Sequence, residues 1–356
     1  MDRSFWRGKR VFVTGHTGFK GSWLAIWLKS MGATVKGFAL APPAGPSLFA
    51  MAQLAEHLDS ELGDVRDLHV LKKSIREFSP DILFHFAAQS LVRPSYREPL
   101  DTFAVNMMGT ANLLEIVRTM PDIRSIVIAT SDKCYENLEY GRPFKEGDAL
   151  GGHDPYSASK AGAEIVANSY RLSFFTNCSP ARGLATVRAG NVIGGGDWSV
   201  DRLVPDAVRS FSKGESVHIR RPMSVRPWQH VLEALSGYLD LAQKLFNDPE
   251  SVSRPWNFGP GPQSDIPVRQ FMDKFVARWG QDARWIDESA KEKGPHEATL
   301  LKLDISAAVE LLGWKPTLDI DRGIEWTVDW YKESLRNQNV YDFTLKQIKT
   351  YESLRD

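Results

Sequence analysis

Arg10-Val11-Phe12-Val13-Thr14-Gly15-His16-Thr17-Gly18-Phe19-Lys20-Gly21 is the stretch whose reading decides the fold. Its first five residues are an apolar, β-branched run of the kind that forms a short buried strand. Glycines at G-x-x-G-x-x-G spacing follow. A helical pattern then runs through Trp23, Leu24, Ile26, Trp27, Leu28 and Met31 and stops at Gly32. Strand, glycine-rich turn and helix in that order make a phosphate cradle. Glycine lets backbone approach a pyrophosphate closely, and the helix N-terminus favours its negative charge. The spacing is not the commoner dinucleotide fingerprint, so the flanking strand and helix carry the assignment.

Working outward, strands are expected at Thr34–Ala39, ending near Leu62, at Ile82–Phe86, at Ile126–Ala129 and at Leu184–Arg188. Helical patterns separate them. One passes through Leu68, Leu71, Ile75 and Phe78 and stops before Pro80. Another is begun or interrupted at Val105–Thr110 and continues through Leu113, Leu114 and Ile116. Apolar strands alternating with helices imply an α/β fold, a doubly wound parallel sheet covered on both faces. Its site should lie at the carboxyl ends of the strands.

Polar residues crowd one of those ends. Thr130, Ser131, Asp132 and Lys133 follow the 126–129 strand, and a loop leads to Asp154-Pro155-Tyr156-Ser157-Ala158-Ser159-Lys160. Asp154 is a good N-cap and Pro155 suits the first helical position. Tyr156 and Lys160 then share a helix face, one turn apart. An ammonium near a phenol favours the phenolate, so a group with a reference pKa of about 10 can act as a base nearer neutrality. By itself Tyr-x-x-x-Lys is a common surface accident, and the surrounding pattern gives it weight.

The 356 residues suit two intimately joined domains. Lysine plus arginine equals aspartate plus glutamate at 44 each, which argues against a nucleic-acid binder relying on bulk charge. The two cysteines, Cys134 and Cys178, show no zinc-like spacing. With no signal-like start and no long apolar run, the chain is expected to be soluble and cytoplasmic, without a membrane partner. Positive charge concentrates at Arg220-Arg221 and Arg226-Pro227-Trp228-Gln229-His230. Leu311-Leu312-Gly313-Trp314-Lys315-Pro316 is expected to pack, as are the scattered tryptophans 256, 279, 285, 326 and 330.

Thr14–Gly21, Asp64-Val65, Ala87-Ala88, Asn106 and Tyr156-x-x-x-Lys160 together resemble the extended short-chain dehydrogenase/reductase family. Within it, Ser131-Asp132-Lys133-Cys134-Tyr135 and Gly194-Gly195-Gly196-Asp197-Trp198 resemble the CDP-D-glucose 4,6-dehydratase group. The likeness covers residues 8–333. It implies bound NAD, held by Gly15, Thr17, Gly18, Phe19, Gly21, Asp64, Val65, Ala87, Ala88, Gln89, Asn106, Tyr156 and Lys160. It implies CDP-D-glucose as substrate, contacted by Ser90, Arg93, Asn191, Arg202, Leu203, Arg220, Arg226, His230 and His296. A planar, multi-donor cation such as Arg226 suits a pyrophosphate. A homodimer or homotetramer built on helices near 100–118 and 156–174, and a place in deoxysugar synthesis for surface polysaccharide, are further implications.

The implied domains are 1–187 with 226–256 for the dinucleotide, 188–225 with 257–335 for the nucleotide sugar, and a peripheral helix over 336–356. In the implied reaction Tyr156 takes the C4 hydroxyl proton, Lys160 favours the phenolate and Ser131 binds the same oxygen. Asp132, protonated through burial, is the acid for the departing C6 oxygen, and Lys133 is the candidate C5 base. The related dTDP-glucose enzymes carry Thr-Asp-Glu at these three places, so Ser131 and Lys133 depart from that pattern. A nucleotide-sugar 4-epimerase would share Tyr156 and Lys160 but needs no acid–base pair for elimination. A catalytically idle NAD-binding scaffold or sensor is the reading from another class. Gly37-Phe38-Ala39-Leu40 lacks the acidic residue that would grip a ribose 2′-hydroxyl, so the residues leave NAD against NADP open and the resemblance favours NAD.

Overall fold

The structure, a computed structural model, describes residues 2–138, 141–176, 178–280, 282–291, 301–337 and 339–355. Strands β1 (Arg10–Thr14), β2 (Thr34–Ala39), β3 (Asp59–Leu62), β4 (Ile82–His85), β5 (Ser125–Ala129) and β6 (Gly183–Ala189) come first. They are interleaved with helices α1 (Phe19–Ser30), α2 (Leu68–Phe78), α3 (Gly109–Arg118) and α4 (Pro155–Tyr170). The chain continues through β7 (Asn191–Ile193), α5 (Leu203–Phe211), β8 (Val217–Ile219), β9 (Val225–His230), α6 (Val231–Asn247) and β10 (Pro255–Phe258). It closes with β11 (Asp265–Pro267), α7 (Val268–Trp279), β12 (Trp285–Asp287), α8 (Ser306–Leu312), α9 (Ile320–Arg336) and α10 (Tyr341–Arg355).

The main sheet has seven parallel strands in the order β10-β6-β5-β4-β1-β2-β3. Successive strand residues point to opposite faces, and the two cores follow that period. Val11, Val13, Ile82, Phe84 and Val127 join one buried cluster with Trp23 and Trp27 of α1. Phe12, Leu83, Ile126 and Ile128 join the other, with Leu71 and Ile75 of α2 and Leu113 and Leu114 of α3. Strand order reverses between β1 and β4, the switch point beyond which such sheets bind ligands. The helical pattern expected to be interrupted near Val105–Thr110 is interrupted there, by a π-helical turn over Ala104–Met108 that runs into α3.

The chain leaves the main sheet at Gly190, where a Cβ would lie 2.5 Å from Pro227 Cγ and 3.1 Å from Asp132 Oδ2. It then builds a small sheet, β11-β9-β7, and the pair β12-β8. From β9 the chain returns through α6, which lies on β5 and β6. Trp314 is fully buried, donating to Ser236 Oγ at 2.9 Å, in keeping with a packing role for residues 311–316. The tail helix is more than an appendage. Val340, Ile348 and Tyr351 of the 340–351 stretch are fully buried, and Tyr351 meets the edge of Trp27 on α1. Its polar composition hid three well-spaced apolar contacts.

Candidate active site

The carboxyl ends of the central strands open into a cleft of about 750 Å³. The three glycines of its floor do different work. A Cβ at Gly15 (φ +77°) would lie 2.6 Å from Ala87 N, and one at Gly21 would lie 2.2 Å from Gly15 O, so these two close the turn. Gly18 is exposed on the cleft wall, and its Cβ would meet only Gly15 O, at 3.3 Å. It caps α1 with no side-chain hydrogen bond, leaving the positive end of the helix to the cleft. Thr17 donates to Leu40 O at 2.9 Å and so ties the end of β2 to this loop, which Phe19 continues along the wall.

Thr14 Oγ1 accepts from Phe86 N at 3.1 Å and Ala87 N at 3.2 Å, fixing the small-residue wall of Ala87 and Ala88. Gln89 continues that wall. Asn106 does not reach the cleft. It is buried behind, where its side chain accepts from Gln89 N (2.9 Å) and donates to Gln89 O (2.9 Å) and Ser159 Oγ (2.8 Å). The expected cofactor contact at Asn106 is thus replaced by a brace between the wall and α4. Asp64 and Val65 line the far end. Hydrogen bonds from Arg66 hold the Asp64 carboxyl below its usual range.

The 131–133 segment and α4 meet across the middle. Asp154 caps α4, accepting from Ser157 N at 2.9 Å, with Pro155 in the first turn as its sequence implied. Tyr156 N donates to Ser95 Oγ at 3.1 Å, and Lys160 Nζ donates to Ala129 O at 3.2 Å. Both side chains are buried yet line the cleft beside Ser131, Asp132 and Lys133. Burial pushes the Tyr156 phenol up to about 12, opposed by a hydrogen bond with Ser131 and the charge of Arg202. Lys160 is brought down to about 8 by burial and by the charge of Lys20. The sequence leads one to expect lysine to draw the phenol toward neutrality. In the protein alone, burial wins. Asp132, 4 % exposed, accepts from Ser131 Oγ at 3.0 Å. Burial raises its carboxyl above the usual value, against the pull of Lys133, Ser131, Arg226 and Lys20.

Arg202 ties the opposite rim together, pairing with Asp197 at 2.9 Å and donating to Ser90 Oγ at 3.2 Å, while Arg93 pairs with Asp201 at 3.3 Å. Asn191, Leu203, Arg220 and Arg226 also line the cleft. His230 does not. It caps α6 and lies 1 % exposed between the edges of Trp23 and Trp326, and burial brings its imidazole down to about 3. A histidine after a basic run looks like a ligand group, but its place at the strand-to-helix junction turns it inward. His296 lies outside the described residues. Lys20 is a further cleft residue, and burial with the charge of Arg202 lowers it to about 8. The signal was available: a charged residue in the first turn of a helix that is otherwise apolar almost all round. Among the described residues no His/Cys/Asp/Glu group is placed to hold a metal, and no helix is long and apolar enough to cross a membrane.

The chain is 49% identical over 356 residues to CDP-glucose 4,6-dehydratase of Salmonella typhimurium (strain LT2), covering 99% of each. Its fold matches UDP-glucose 4-epimerase of Thermotoga maritima, solved with UDP-glucose (TM-score 0.78, 22% identity, 91% of this chain and 99% of that one). It also matches dTDP-glucose 4,6-dehydratase of Bacillus anthracis str. Ames, solved in complex with NAD (TM-score 0.73, 23% identity, 92% and 97%). The solved structures share the α/β architecture at low identity. The family model described as GDP-mannose 4,6 dehydratase matches residues 12–327, the span that holds every cleft element described above, and the chain belongs to that family.

Proposed function

We propose that this chain converts CDP-D-glucose to CDP-4-keto-6-deoxy-D-glucose and water, using NAD without net redox change. One observation carries the reading: a buried carboxyl with a raised pKa, Asp132, stands between Ser131 and Lys133 in the same cleft as Tyr156 and Lys160. A 4-epimerase has no use for a buried carboxyl biased toward its neutral acid, whereas elimination of water needs an acid for the leaving oxygen. The full-length likeness to the Salmonella enzyme supports the choice of CDP-glucose.

The cradle fits a dinucleotide, because Gly18 leaves the wall open where α1 begins. Gly15, Gly18 and Gly21 would take the pyrophosphate, Asp64 and Val65 the adenosine end, and Lys160 the nicotinamide ribose. The chemistry that NAD would supply there is a hydride acceptor for C4 and a hydride donor for C6. Tyr156 takes the C4 hydroxyl proton, with Ser131 on the same oxygen. Asp132 protonates the C6 hydroxyl, which leaves as water, while Lys133 takes the C5 proton and, after exchange with solvent, gives a proton back to C5 as hydride reaches C6. Arg226, Arg220 and Arg202 hold the substrate phosphates. Residues 1–187 with α6 and β10 then serve the dinucleotide, and 188–225 with 257–335 the nucleotide sugar. Strand β9, in the small sheet with β7 and β11, puts Arg226 on the sugar side and not with the dinucleotide part expected over 226–256.

Incubation with CDP-, dTDP-, UDP- and GDP-glucose in the presence of NAD tests the function. A 4-keto-6-deoxy product formed preferentially from CDP-glucose is expected. A C4 epimer without water loss would make the chain an epimerase, and no turnover of any sugar would leave a scaffold. Gly18→Val is expected to abolish NAD binding in calorimetry with little change in thermal unfolding, since its Cβ meets one atom of the protein. Unchanged NAD affinity would remove the cradle assignment.

A homodimer is the expected assembly, with a homotetramer as its doubling. Leu100 (83 % exposed), Met108 (53 %), Ile165 (58 %) and Leu172 (64 %) leave apolar surface along the 99–118 and 155–175 helical segments. Ile165→Glu with Leu172→Glu is expected to yield monomer in sedimentation equilibrium, and an unchanged mass would place the interface elsewhere.

A further inference from the structure

Glu164 and Arg188 form an ion pair with both side chains 2 % exposed, and it lies off the cleft wall. Glu164 Oε1 accepts from Arg188 Nε at 2.9 Å and from Thr130 Oγ1 at 2.5 Å. Oε2 accepts from an Arg188 terminal nitrogen at 2.8 Å and from Thr186 Oγ1 at 2.7 Å. Against the push of burial, Arg188 and the two threonines hold this carboxyl below its usual value. The other Arg188 terminal nitrogen donates to Tyr135 Oη at 2.8 Å and Glu146 O at 3.1 Å. Tyr135 Oη itself donates to Asn257 Oδ1 at 2.7 Å, and its ring stacks on Phe144 at 4.8 Å.

The pair therefore grips the chain immediately before Ser131, at Thr130, and again at Tyr135, two residues beyond Lys133. Glu164 itself stands one turn beyond Lys160 and two beyond Tyr156 on α4. One ion pair thus joins the helix carrying Tyr156 and Lys160 to both ends of the segment carrying Ser131, Asp132 and Lys133. A buried pair often contributes no net stability over an apolar filling of the same shape, because desolvation offsets its attraction. Geometry is the better reason for this one. Both sides have further anchors, α4 through Ser95 and through Asn106 with Ser159, the segment through Thr130 N to Val187 O and Gly151 N to Cys134 O at 2.9 Å each, but this pair ties the two sides to each other.

We infer that Glu164 and Arg188 are positioning residues that set the 131–133 segment in register with Tyr156, so that elimination of water depends on them far more than oxidation at C4 does. The inference rests on the dehydratase reading above. It is tested by single-turnover measurements on CDP-glucose in deuterated water. Reduced-cofactor absorbance reports C4 oxidation; deuterium incorporated at C5 and dehydrated product report elimination. Thr130→Val and Tyr135→Phe each remove one grip and keep the shape. Glu164→Gln removes the charge that holds both.

C4 oxidation draws only the Ser131 hydrogen bond from this segment and keeps its base on α4, so it is expected to stay within about threefold of the parent. Elimination, which draws both its acid and its base from the segment, falls by about tenfold in the two mild variants. In Glu164→Gln it falls by on the order of 10²-fold, the scale of an ångström-sized misplacement. Thr130→Ser, which keeps the hydroxyl, is expected to restore the parental ratio. If Glu164→Gln does not fold, the Thr130 and Tyr135 variants decide alone. Both steps falling in proportion, or an unchanged ratio of the two rates, would overturn the inference and leave a structural pair. A parent that dehydrates no nucleotide sugar would overturn the dehydratase reading and this inference with it. A parent that does so while its variants keep the ratio overturns the inference alone.

Discussion

Tyr156→Phe is expected to slow C4 oxidation by on the order of 10²–10⁴-fold, the usual contribution of a positioned general base. The phenol stands at about 12 in the protein alone, because burial disfavours the phenolate more than its neighbours favour it. The cleft also holds two lowered ammonium groups, Lys160 and Lys20, each at about 8. A bound cationic nicotinamide would add to the charge of Arg202, which by itself does not offset burial. The base should therefore be competent only in the loaded enzyme, and substrate binding need not suffer in the variant. Reduced-cofactor absorbance in a single turnover checks the first statement, and CDP-glucose affinity the second. Oxidation at the parental rate would take Tyr156 out of the mechanism.

The sheet was legible because its signals were local. Arg10–Thr14 and Ser125–Ala129 are short, dense in β-branched residues and bounded by turn formers, and both became central strands. Asp154-Pro155 marked the start of α4 with capping chemistry that needs no tertiary contact. What escaped were the features that only packing decides. His230 and Asn106 are polar residues beside ligand-facing segments, yet neighbouring elements bury them behind the wall. Nothing in their spacing distinguishes a side chain facing a ligand from one facing the next helix. Glu164 and Arg188 sit in an alanine-rich helix and an apolar strand 24 residues apart, and only the fold joins their charges. The tail helix concealed its anchors in the same way, through Ile348 and Tyr351 set among charged residues.

Lys133→Met is expected to separate the two halves of the reaction. The side chain lines the cleft directly after Asp132, at the end of a strand that also presents Ser131. A free lysine has a pKa of about 10.4 and is no base at neutral pH. An ionised Asp132 beside it would hold the proton on still more firmly. Burial instead raises the Asp132 carboxyl, which favours the neutral acid. A neutral Asp132 supplies the proton that the C6 oxygen must receive, and it leaves no negative charge directly beside Lys133. In Lys133→Met, C4 oxidation should survive, while solvent deuterium at C5 and dehydrated product should both fall by about 10²-fold or more, the low end for losing a general base. Undiminished labelling at C5 would assign that proton to another group and leave Lys133 facing the substrate phosphates.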